Sequence, residues 1–443
     1  MNETRTGTAE ASRRQFLQAS TAAAVGAGLL VSDPLARTVH SAASGDGILR
    51  VGLVGCGGRG RGAAVHALTA DPQARLVALA DAFMDYVDQS VDVLKKTEVG
   101  DRVTVDPEHR FAGFDAYQKL IQADVDVVLL ATPPHFRPLH LQACVDAGKH
   151  VFAEKPVAVD APGIRAVLAA CEQAREKKLS IVSGLMFRYD RGMQETMKRI
   201  HDGAIGEIVA IQTTYNVGPP WFRNKERQPG WTEMEYQMRN WYPFTWLSGD
   251  HNVEQHVHSL DRSAWALRDQ PPQQAWGSGG RQLRSEPAIG NIYDHHCVTY
   301  EYDNGVRVYS HCRRQAGCTN DISDHVLGTK GRCNLMKFRI EGETNWRYEG
   351  PNPNNFVAEH EALFASIRTG QPLNNGRYMA HSTLWAILGR MATYTGKTIT
   401  WEQAMNSQEN LSPERYAWDA QPPILPDEDG NYPLAMPGVT KFV

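Results

Sequence analysis

Between about residue 50 and residue 183, short apolar runs rich in Val, Leu and Ala alternate with longer segments in which apolar residues recur at helical spacing. Continuous apolar runs are typical of strands buried on both faces, and their alternation with helices indicates a parallel, doubly wound sheet. The predicted strands are 50–54, 75–80, 125–130, 150–153 and 180–183. The predicted helices are 60–70, 84–96, 115–122, 137–147 and 161–176.

The pattern changes after about residue 186, where apolar and polar residues alternate as in strands with one buried face. The triplet Asp303-Asn304-Gly305 separates two such runs and predicts a hairpin turn. Strands are predicted at 208–217, 297–302, 306–312 and 325–328, and helices at 355–369 and 377–396. We therefore expect an α/β protein whose second half carries a large, mostly antiparallel open sheet, followed by a Pro-rich tail over 406–443.

The first 46 residues have the pattern of an export signal and a linker. The stretch 12–17, Ser-Arg-Arg-Gln-Phe-Leu, resembles the twin-arginine signal, and a small, weakly apolar segment follows over 19–31. That segment is too short to span a bilayer comfortably, so we expect cleavage, although a retained anchor and a basic disordered tail are alternatives. Twin-arginine export carries folded proteins, which predicts a periplasmic protein that acquires any cofactor in the cytosol.

Composition narrows the function classes only slightly. The 443 residues are enough for two domains, and the net charge of −4 with a pI near 6.5 gives no footprint for nucleic acid. The seven cysteines are odd in number and lack metal-like spacing, which argues against a disulfide framework or a cysteine zinc site.

The strongest motif follows the first predicted strand. Gly55-Cys-Gly-Gly-Arg-Gly60 fits G-x-G-x-x-G between a strand and a helix, which predicts a dinucleotide with its phosphates at the helix N-terminus. Asp81 ends the next strand, where a carboxylate accepts hydrogen bonds from ribose hydroxyls and repels a 2′-phosphate, so NAD is favoured over NADP. The cofactor-binding residues predicted here are Gly55, Gly57, Gly58, Arg59, Gly60 and Asp81.

Two further strand ends add candidates, because ligands gather at the carboxyl ends of parallel strands. Thr132, Pro133 and His135 follow one strand; His135 either covers a nicotinamide or is a solvated loop histidine. Glu154-Lys155-Pro156 follows the next strand, and a lysine at that position can reach a bound sugar and the nicotinamide ribose. We expect all of these except Pro156 to bind the cofactor.

The glycine motif together with Glu-Lys-Pro about 95 residues downstream resembles the glucose–fructose oxidoreductase, inositol dehydrogenase and MocA family (Gfo/Idh/MocA) over about residues 48–400. The resemblance implies a Rossmann NAD-binding domain over 47–185. It also implies a substrate and oligomerisation domain over 186–405, whose open sheet covers the nicotinamide and forms a homo-oligomer. Scarcity of free NAD outside the cytosol adds the expectation that the cofactor is held tightly.

A downstream family pattern, D-x-x-x-H-x-x-D, is matched with one departure: Glu254 stands at its first position, followed by His258 and Asp261. With His251, these residues have spacings that place them on one face of a helix. Taken alone, the cluster could perform acid–base chemistry, bind a divalent metal through His251, Glu254 and His258, or form a structural polar face. The resemblance favours acid–base catalysis by Lys155, His258 and Glu254, with no metal ligand assigned.

The resemblance also implies a substrate site lined by Arg188, Tyr189, His251 and Asp261. An aromatic insertion over 218–246 either stacks on sugar rings or is an ordinary packed loop. The expected function is an exported NAD-dependent oxidoreductase acting on a secondary hydroxyl of a sugar, polyol or glycoside. The alternatives are an NAD-assisted glycosidase, which oxidises, eliminates, adds water and reduces, and a non-catalytic dinucleotide-binding sensor.

Overall fold

A computed structural model gives the fold of the chain and describes residues 47–219, 225–283 and 290–443. The predicted signal and linker over 1–46 and the aromatic residue Trp221 lie outside the described residues. Within the described ranges, all seven cysteines are unpaired, in agreement with the sequence. In the same ranges, no helix combines the length and the apolar character needed to cross a membrane.

The first sheet is parallel and has six strands within the described residues, in the order β3-β2-β1-β4-β5-β6. Its strands are β1 Leu49–Val54, β2 Ala74–Asp81, β3 Arg110–Ala112, β4 Val127–Leu130, β5 His150–Ala153 and β6 Ile181–Ser183. Strands β4 and β5 are buried along their whole length, as their continuous apolar runs predict. The predicted doubly wound sheet is confirmed, with one edge strand, β3, that the sequence pattern did not indicate.

Helices cover both faces of this sheet, as the alternating pattern predicts. They are α1 Gly58–Ala70, α2 Met84–Leu94, α3 Ala116–Gln122, α4 Arg137–Asp146 and α5 Ala161–Glu176. Strand order reverses between β1 and β4, so the crevice at the carboxyl ends of these strands is where a ligand is expected.

The second sheet is mixed and has nine strands within the described residues, in the order β14-β13-β12-β11-β7-β10-β9-β8-β15. Only the β7–β10 pair is parallel among these pairings, so the predicted, mostly antiparallel sheet is confirmed. Its strands are β7 Ile208–Val217, β8 Gln274–Gly280, β9 His295–Glu301, β10 Arg307–Arg314, β11 Asp321–Gly328, β12 Gly331–Asn334, β13 Arg339–Gly342, β14 Trp346–Arg347 and β15 Ile399–Thr400.

The remaining helices include the segments that carry the candidate catalytic residues. They are α6 Arg191–His201, α7 Glu233–Arg239, α8 Thr245–Ser248, α9 His251–Glu254, α10 Val257–Ala266, α11 Asn355–Arg368, α12 Gly376–Thr395 and α13 Trp401–Asn406. Helix α12 is almost entirely buried. Helix α11 follows the second sheet in sequence but packs on the first, because Leu363 and Phe364 join the core formed by β1 and α1.

The aromatic insertion and the Pro-rich tail pack together in one apolar cluster. Its buried members come from the first domain, the insertion and the tail, and they include Phe83, Phe136, Phe244, Trp246 and Tyr432. Residues 407–443 contain no helix or strand, as the tail's composition predicts. This cluster fixes the insertion beside the crevice of the first sheet.

Candidate functional site

The glycine turn has the geometry that a dinucleotide requires. Gly55 has φ +101°, a conformation that L side chains rarely adopt. A Cβ on Gly60 would lie 1.8 Å from the carbonyl oxygen of Gly55, so helix α1 can approach β1 only through a glycine. At Gly57 and Gly58, by contrast, a Cβ would meet nothing within 4 Å. These two positions face open space and leave room for a pyrophosphate at the N-terminus of α1.

A first cavity of about 540 Å³ opens over this turn. It contains eight of the predicted cofactor-binding residues: Gly55, Gly57, Gly58, Arg59, Gly60, Asp81, Thr132 and Pro133. Aromatic side chains that the sequence did not single out, Phe83, Tyr86 and Phe114, line it as well. The residues present therefore fit a dinucleotide with its phosphates on the glycine turn and its rings against apolar walls.

Asp81 ends β2 beside the glycine turn, where its carboxylate is fixed by backbone donors. One oxygen accepts a hydrogen bond from the Cys56 N–H (2.7 Å) and the other from the Phe83 N–H (3.1 Å). Burial raises the pKa of Asp81 to about 6, against the opposing effect of these backbone N–H groups. The side chain is therefore held in the position expected for a ribose contact and is ionised at neutral pH.

A second cavity of about 410 Å³ adjoins the first, and Arg59, Ala131, Thr132 and Trp241 line both. The predicted residues Glu154, Lys155, Glu254 and His258 all line the second cavity. Residues on two domains and on separate strands and helices are thus brought together at the carboxyl ends of β4 and β5. A polar ligand in the second cavity would lie beside whatever occupies the first.

The Lys155 ammonium donates hydrogen bonds to both the carboxylate and the backbone carbonyl of Glu254. The lysine Nζ lies 3.0 Å from Glu254 Oε1 and 2.7 Å from the Glu254 carbonyl oxygen, and both side chains are mostly buried. The other carboxylate oxygen, Glu254 Oε2, has no hydrogen-bond partner among the described residues. A buried carboxylate oxygen of this kind is an acceptor in need of a polar ligand.

The helix predicted to carry the cluster is interrupted, and this interruption decides which residues reach the cavity. Helix α9 ends at Glu254 and α10 begins at Val257. The carbonyl of Glu254 accepts the Lys155 ammonium, and the N–H of His258 points instead to the carbonyl of Gln255 (3.4 Å). Consequently Glu254 and His258 face the second cavity, whereas His251 and Asp261 do not line it.

His258 is the candidate base. Its ring is buried, and Nδ1 has no hydrogen-bond partner among the described residues. Burial, followed by the positive charge of Lys155, holds the pKa of His258 well below its usual range. The imidazole is therefore neutral at physiological pH and able to accept a proton.

Arg59 lies between the two cavities and is fixed by two glutamates. Its guanidinium pairs with Glu154 and approaches Glu359 Oε1 (3.5 Å), and it stacks 5.0 Å above the Phe356 ring. Burial raises the pKa of Glu359 well above its usual range. Glu154 thus orients Arg59. Phe356 and Glu359 on α11 were not predicted from the sequence, because they follow Arg59 by about 300 positions.

Arg188 and Asp261, predicted to contact substrate, form instead a buried ion pair with each other. Arg188 Nη2 lies 2.8 Å from Asp261 and 2.6 Å from Asp269, and the guanidinium stacks over the rings of Trp265 and Tyr378. Neither Arg188 nor Asp261 lines either cavity. Their charges therefore neutralise each other inside the fold, away from the residues that line the two cavities.

Three other predicted residues also lie away from the cavities. Tyr189 donates a hydrogen bond to Asn375 Oδ1 (2.8 Å), and His251 is buried against Asp250. His135 is buried with its Nε2 2.8 Å from the Tyr416 hydroxyl, because the tail covers it; burial lowers its pKa to about 3. The structure thus places His135, Tyr189 and His251 against other parts of the protein and not among the residues that line the two cavities.

Other residues of the second cavity were not singled out in the sequence. Shortly before Arg188, the residues Gly184, Met186 and Phe187 line this cavity. Tyr215 on β7 and Gln255 at the helix break also line it, joined by a hydrogen bond of 2.7 Å. Gln255 follows Glu254 directly in sequence, and the break between α9 and α10 allows its side chain to face the second cavity as well.

Comparisons with known proteins agree with this architecture. Residues 49–182 match the model described as "Oxidoreductase family, NAD-binding Rossmann fold", and residues 193–334 match "GFO/IDH/MocA C-terminal domain". The chain is 26% identical to inositol 2-dehydrogenase of Rhizobium meliloti (strain 1021) over 73% of this chain and 89% of that protein. It is 30% identical to 2,7-anhydro-N-acetylneuraminate hydratase of Escherichia coli (strain K12), over only 41% of this chain and 44% of the hydratase.

A solved structure shows the same fold. Scyllo-inositol dehydrogenase from Lactobacillus casei, with bound NAD(H) and scyllo-inositol, superposes with a TM-score of 0.60 at 19% identity. The match covers 80% of this chain and 99% of that one. The glycine turn, the parallel sheet and the second mixed sheet, together with both family matches, lead to one conclusion. This chain belongs to the Gfo/Idh/MocA family of oxidoreductases, which is built on an NAD-binding Rossmann fold.

Proposed function

We propose that this protein is an exported NAD-dependent oxidoreductase that acts on a secondary hydroxyl of a sugar, polyol or glycoside. The observation that carries the proposal is the meeting of neutral His258 with the Lys155–Glu254 pair in a cavity that adjoins the dinucleotide cavity. The inositol dehydrogenases among the relatives support the substrate class.

The residues of the second cavity suit removal of two hydrogens from an alcohol. The neutral ring of His258 can accept the hydroxyl proton, and NAD, when bound, supplies the acceptor for the hydride. The Lys155 ammonium places a positive charge beside the oxygen on which negative charge develops. Glu254 holds that ammonium through Oε1 and leaves Oε2 for a further substrate hydroxyl.

NAD is proposed to be held tightly, because residues of the insertion cover its cavity. Lys225, Met238, Arg239 and Trp241, here called the cover, all line the first cavity. Arg239 lies 3.9 Å over the Phe83 ring and pairs with Asp85 (3.1 Å), both on the nucleotide-binding domain. Release of a bound dinucleotide would then require the cover to move.

Export and assembly complete the proposal. The Ser-Arg-Arg-Gln-Phe-Leu stretch over 12–17 supports twin-arginine export to the periplasm. A homo-oligomer through the second sheet is supported by two large apolar side chains on its outer face, Tyr309 (41% exposed) and Leu327 (42% exposed). Contact with another copy would remove the apolar surface of these two side chains from water.

The proposed reaction is tested with NAD-loaded protein and a panel of polyols, sugars and glycosides, by the absorbance of the reduced nicotinamide. We expect at least one compound of this panel to reduce the bound NAD. Lys155→Ala and His258→Ala should each lower turnover by about 10²- to 10⁴-fold without loss of NAD binding. Lys119→Ala and His109→Ala, which change the same residue types away from both cavities, serve as controls.

Two outcomes would change the assignment. Near wild-type turnover in Lys155→Ala or His258→Ala would remove that residue from the reaction. Release of free sugar from a glycoside without net reduction of NAD would assign the NAD-assisted glycosidase in place of the dehydrogenase.

A further inference from the structure

A second polar cluster lies outside both cavities, immediately before helix α9. It consists of Asp250, the residue before the helix, His251, its first residue, and His296 on β9, and their exposed fractions are 0%, 1% and 2%. Asp250 Oδ1 lies 2.8 Å from His251 Nδ1 and 3.2 Å from His296 Nε2. All three atoms lie within 4.8 Å of one another.

These three atoms are in contact as ion pairs but form no hydrogen bond of good geometry. Asp250 Oδ1 is the shared partner of both imidazole nitrogens, and none of the three atoms has another polar partner among the described residues. Three buried polar atoms thus converge on one point and have only one another as partners. A cation at that point would satisfy all three.

The outward-facing atoms of the same side chains are held by other groups. Asp250 Oδ2 accepts hydrogen bonds from the Tyr293 N–H (2.9 Å) and the Tyr394 hydroxyl, and His296 Nδ1 lies 2.9 Å from Thr393 Oγ1. Side chains that bind metals are typically oriented by such contacts from their remaining polar atoms. The convergence is therefore imposed by the surrounding structure.

The backbone at Asp250 is also strained. Its φ is +80° with ψ 160°, a conformation that L residues rarely adopt. Such a conformation persists only where the surroundings fix it. Ligation by Asp250 and the adjacent His251 would hold the chain in this turn.

We propose that Asp250, His251 and His296 bind one divalent transition-metal ion of the zinc class. A point equidistant from the three atoms lies at most about 2.5 Å from each, near the bond lengths of zinc to nitrogen and oxygen. One carboxylate and two neutral imidazoles are a donor set that zinc uses, with a fourth position left for another ligand.

The ion has a positioning role for the neighbouring catalytic helix. The Glu254 N–H donates a hydrogen bond to the Asp250 carbonyl (2.8 Å), so the residue that begins the turn also orients the residue that binds Lys155. The site itself lines neither cavity. The ion therefore stabilises the start of α9 and takes no part in the reaction, and its presence does not depend on the proposed function.

The test is metal analysis of full-length protein purified without a histidine tag or a chelator. Elemental mass spectrometry should find about one zinc per chain, and cells grown with cobalt should give protein with a tetrahedral Co²⁺ absorption spectrum. His296→Ala and Asp250→Asn should lose the ion. His256→Ala should keep it, because buried His256 bonds to Ser310 Oγ outside the cluster.

Wild-type protein that contains neither zinc nor cobalt after growth in either medium would overturn the proposal and leave an ionised Asp–His pair as the explanation. Retention of the full metal content by folded His296→Ala would overturn it as well. If that variant does not fold, the wild-type stoichiometry and the cobalt spectrum decide the question, since a spectrum of thiolate ligation would contradict the three proposed ligands.

Discussion

Replacing Arg239 by Ala should loosen the cover over the dinucleotide cavity. The guanidinium joins the insertion to the nucleotide-binding domain through the Phe83 ring (3.9 Å) and Asp85 (3.1 Å). Its contacts with Glu235 (2.9 Å) and the Trp231 ring (5.0 Å) lie within the insertion and do not contribute to closure. The substitution therefore removes the contacts with the nucleotide-binding domain, which are those with Phe83, Asp85 and, at 5.9 Å, the Tyr86 ring.

The size of the effect follows from the exposure of these contacts. A partly exposed cation–π contact contributes about 0.5–1 kcal/mol. The ion pair contributes about 0.5 kcal/mol, because the Asp85 side chain is 59% exposed and its charge is screened by water. A loss of about 1–1.5 kcal/mol corresponds to release of NAD that is about five- to thirteenfold faster.

The assay follows release of NAD from loaded protein into an excess of an NAD-consuming enzyme. Arg227→Ala is the matched control, since this exposed arginine of the same insertion pairs with Glu233 and lines neither cavity. Release from the control should equal that from wild type. An unchanged release rate in folded Arg239→Ala would refute the inference that the cover retains the cofactor.

Three further predictions concern selectivity, assembly and export. Burial raises the pKa of Asp81 to about 6, so its carboxylate becomes protonated as the pH falls through 6. The preference for NAD over NADP should weaken over the same pH range, and Asp81→Asn should not distinguish NAD from NADP at any pH. Tyr309→Arg should lower the mass of the assembly measured by light scattering, whereas an unchanged mass would exclude this face as the interface. Lysine substitution of both Arg13 and Arg14 should leave the protein in the cytoplasm, and continued export would disprove the twin-arginine assignment.

The first sheet was predictable because its signals are local. Buried strands appear as continuous apolar runs, and the turn at Gly55 needs a positive φ that glycine allows. Edge strand β3, Arg110–Ala112, is too short to show a pattern, and the two-residue strands β14 and β15 have the same limitation. Their pairing depends on neighbours that are distant in sequence.

The site was predictable only in part, because long-range contacts decide which side chains face it. The spacing indicated Glu254 and His258, which both line the second cavity, but the break between α9 and α10 involves Lys155, about 100 residues earlier. Arg188 and Asp261 have the chemistry of a substrate site, yet they neutralise each other. No spacing rule distinguishes a charge that meets a ligand from one that meets an opposite charge inside the fold.

The most direct test of the central claim is a single-turnover measurement with NAD-loaded wild-type protein and its His258→Ala variant. Substrate is added in excess, and formation of reduced nicotinamide is followed by absorbance. The account predicts reduction by a polyol or sugar in the wild type, and a rate about 10²- to 10⁴-fold lower in the variant, with NAD still bound. Equal rates in the two proteins, or a wild type that does not bind NAD, would contradict it.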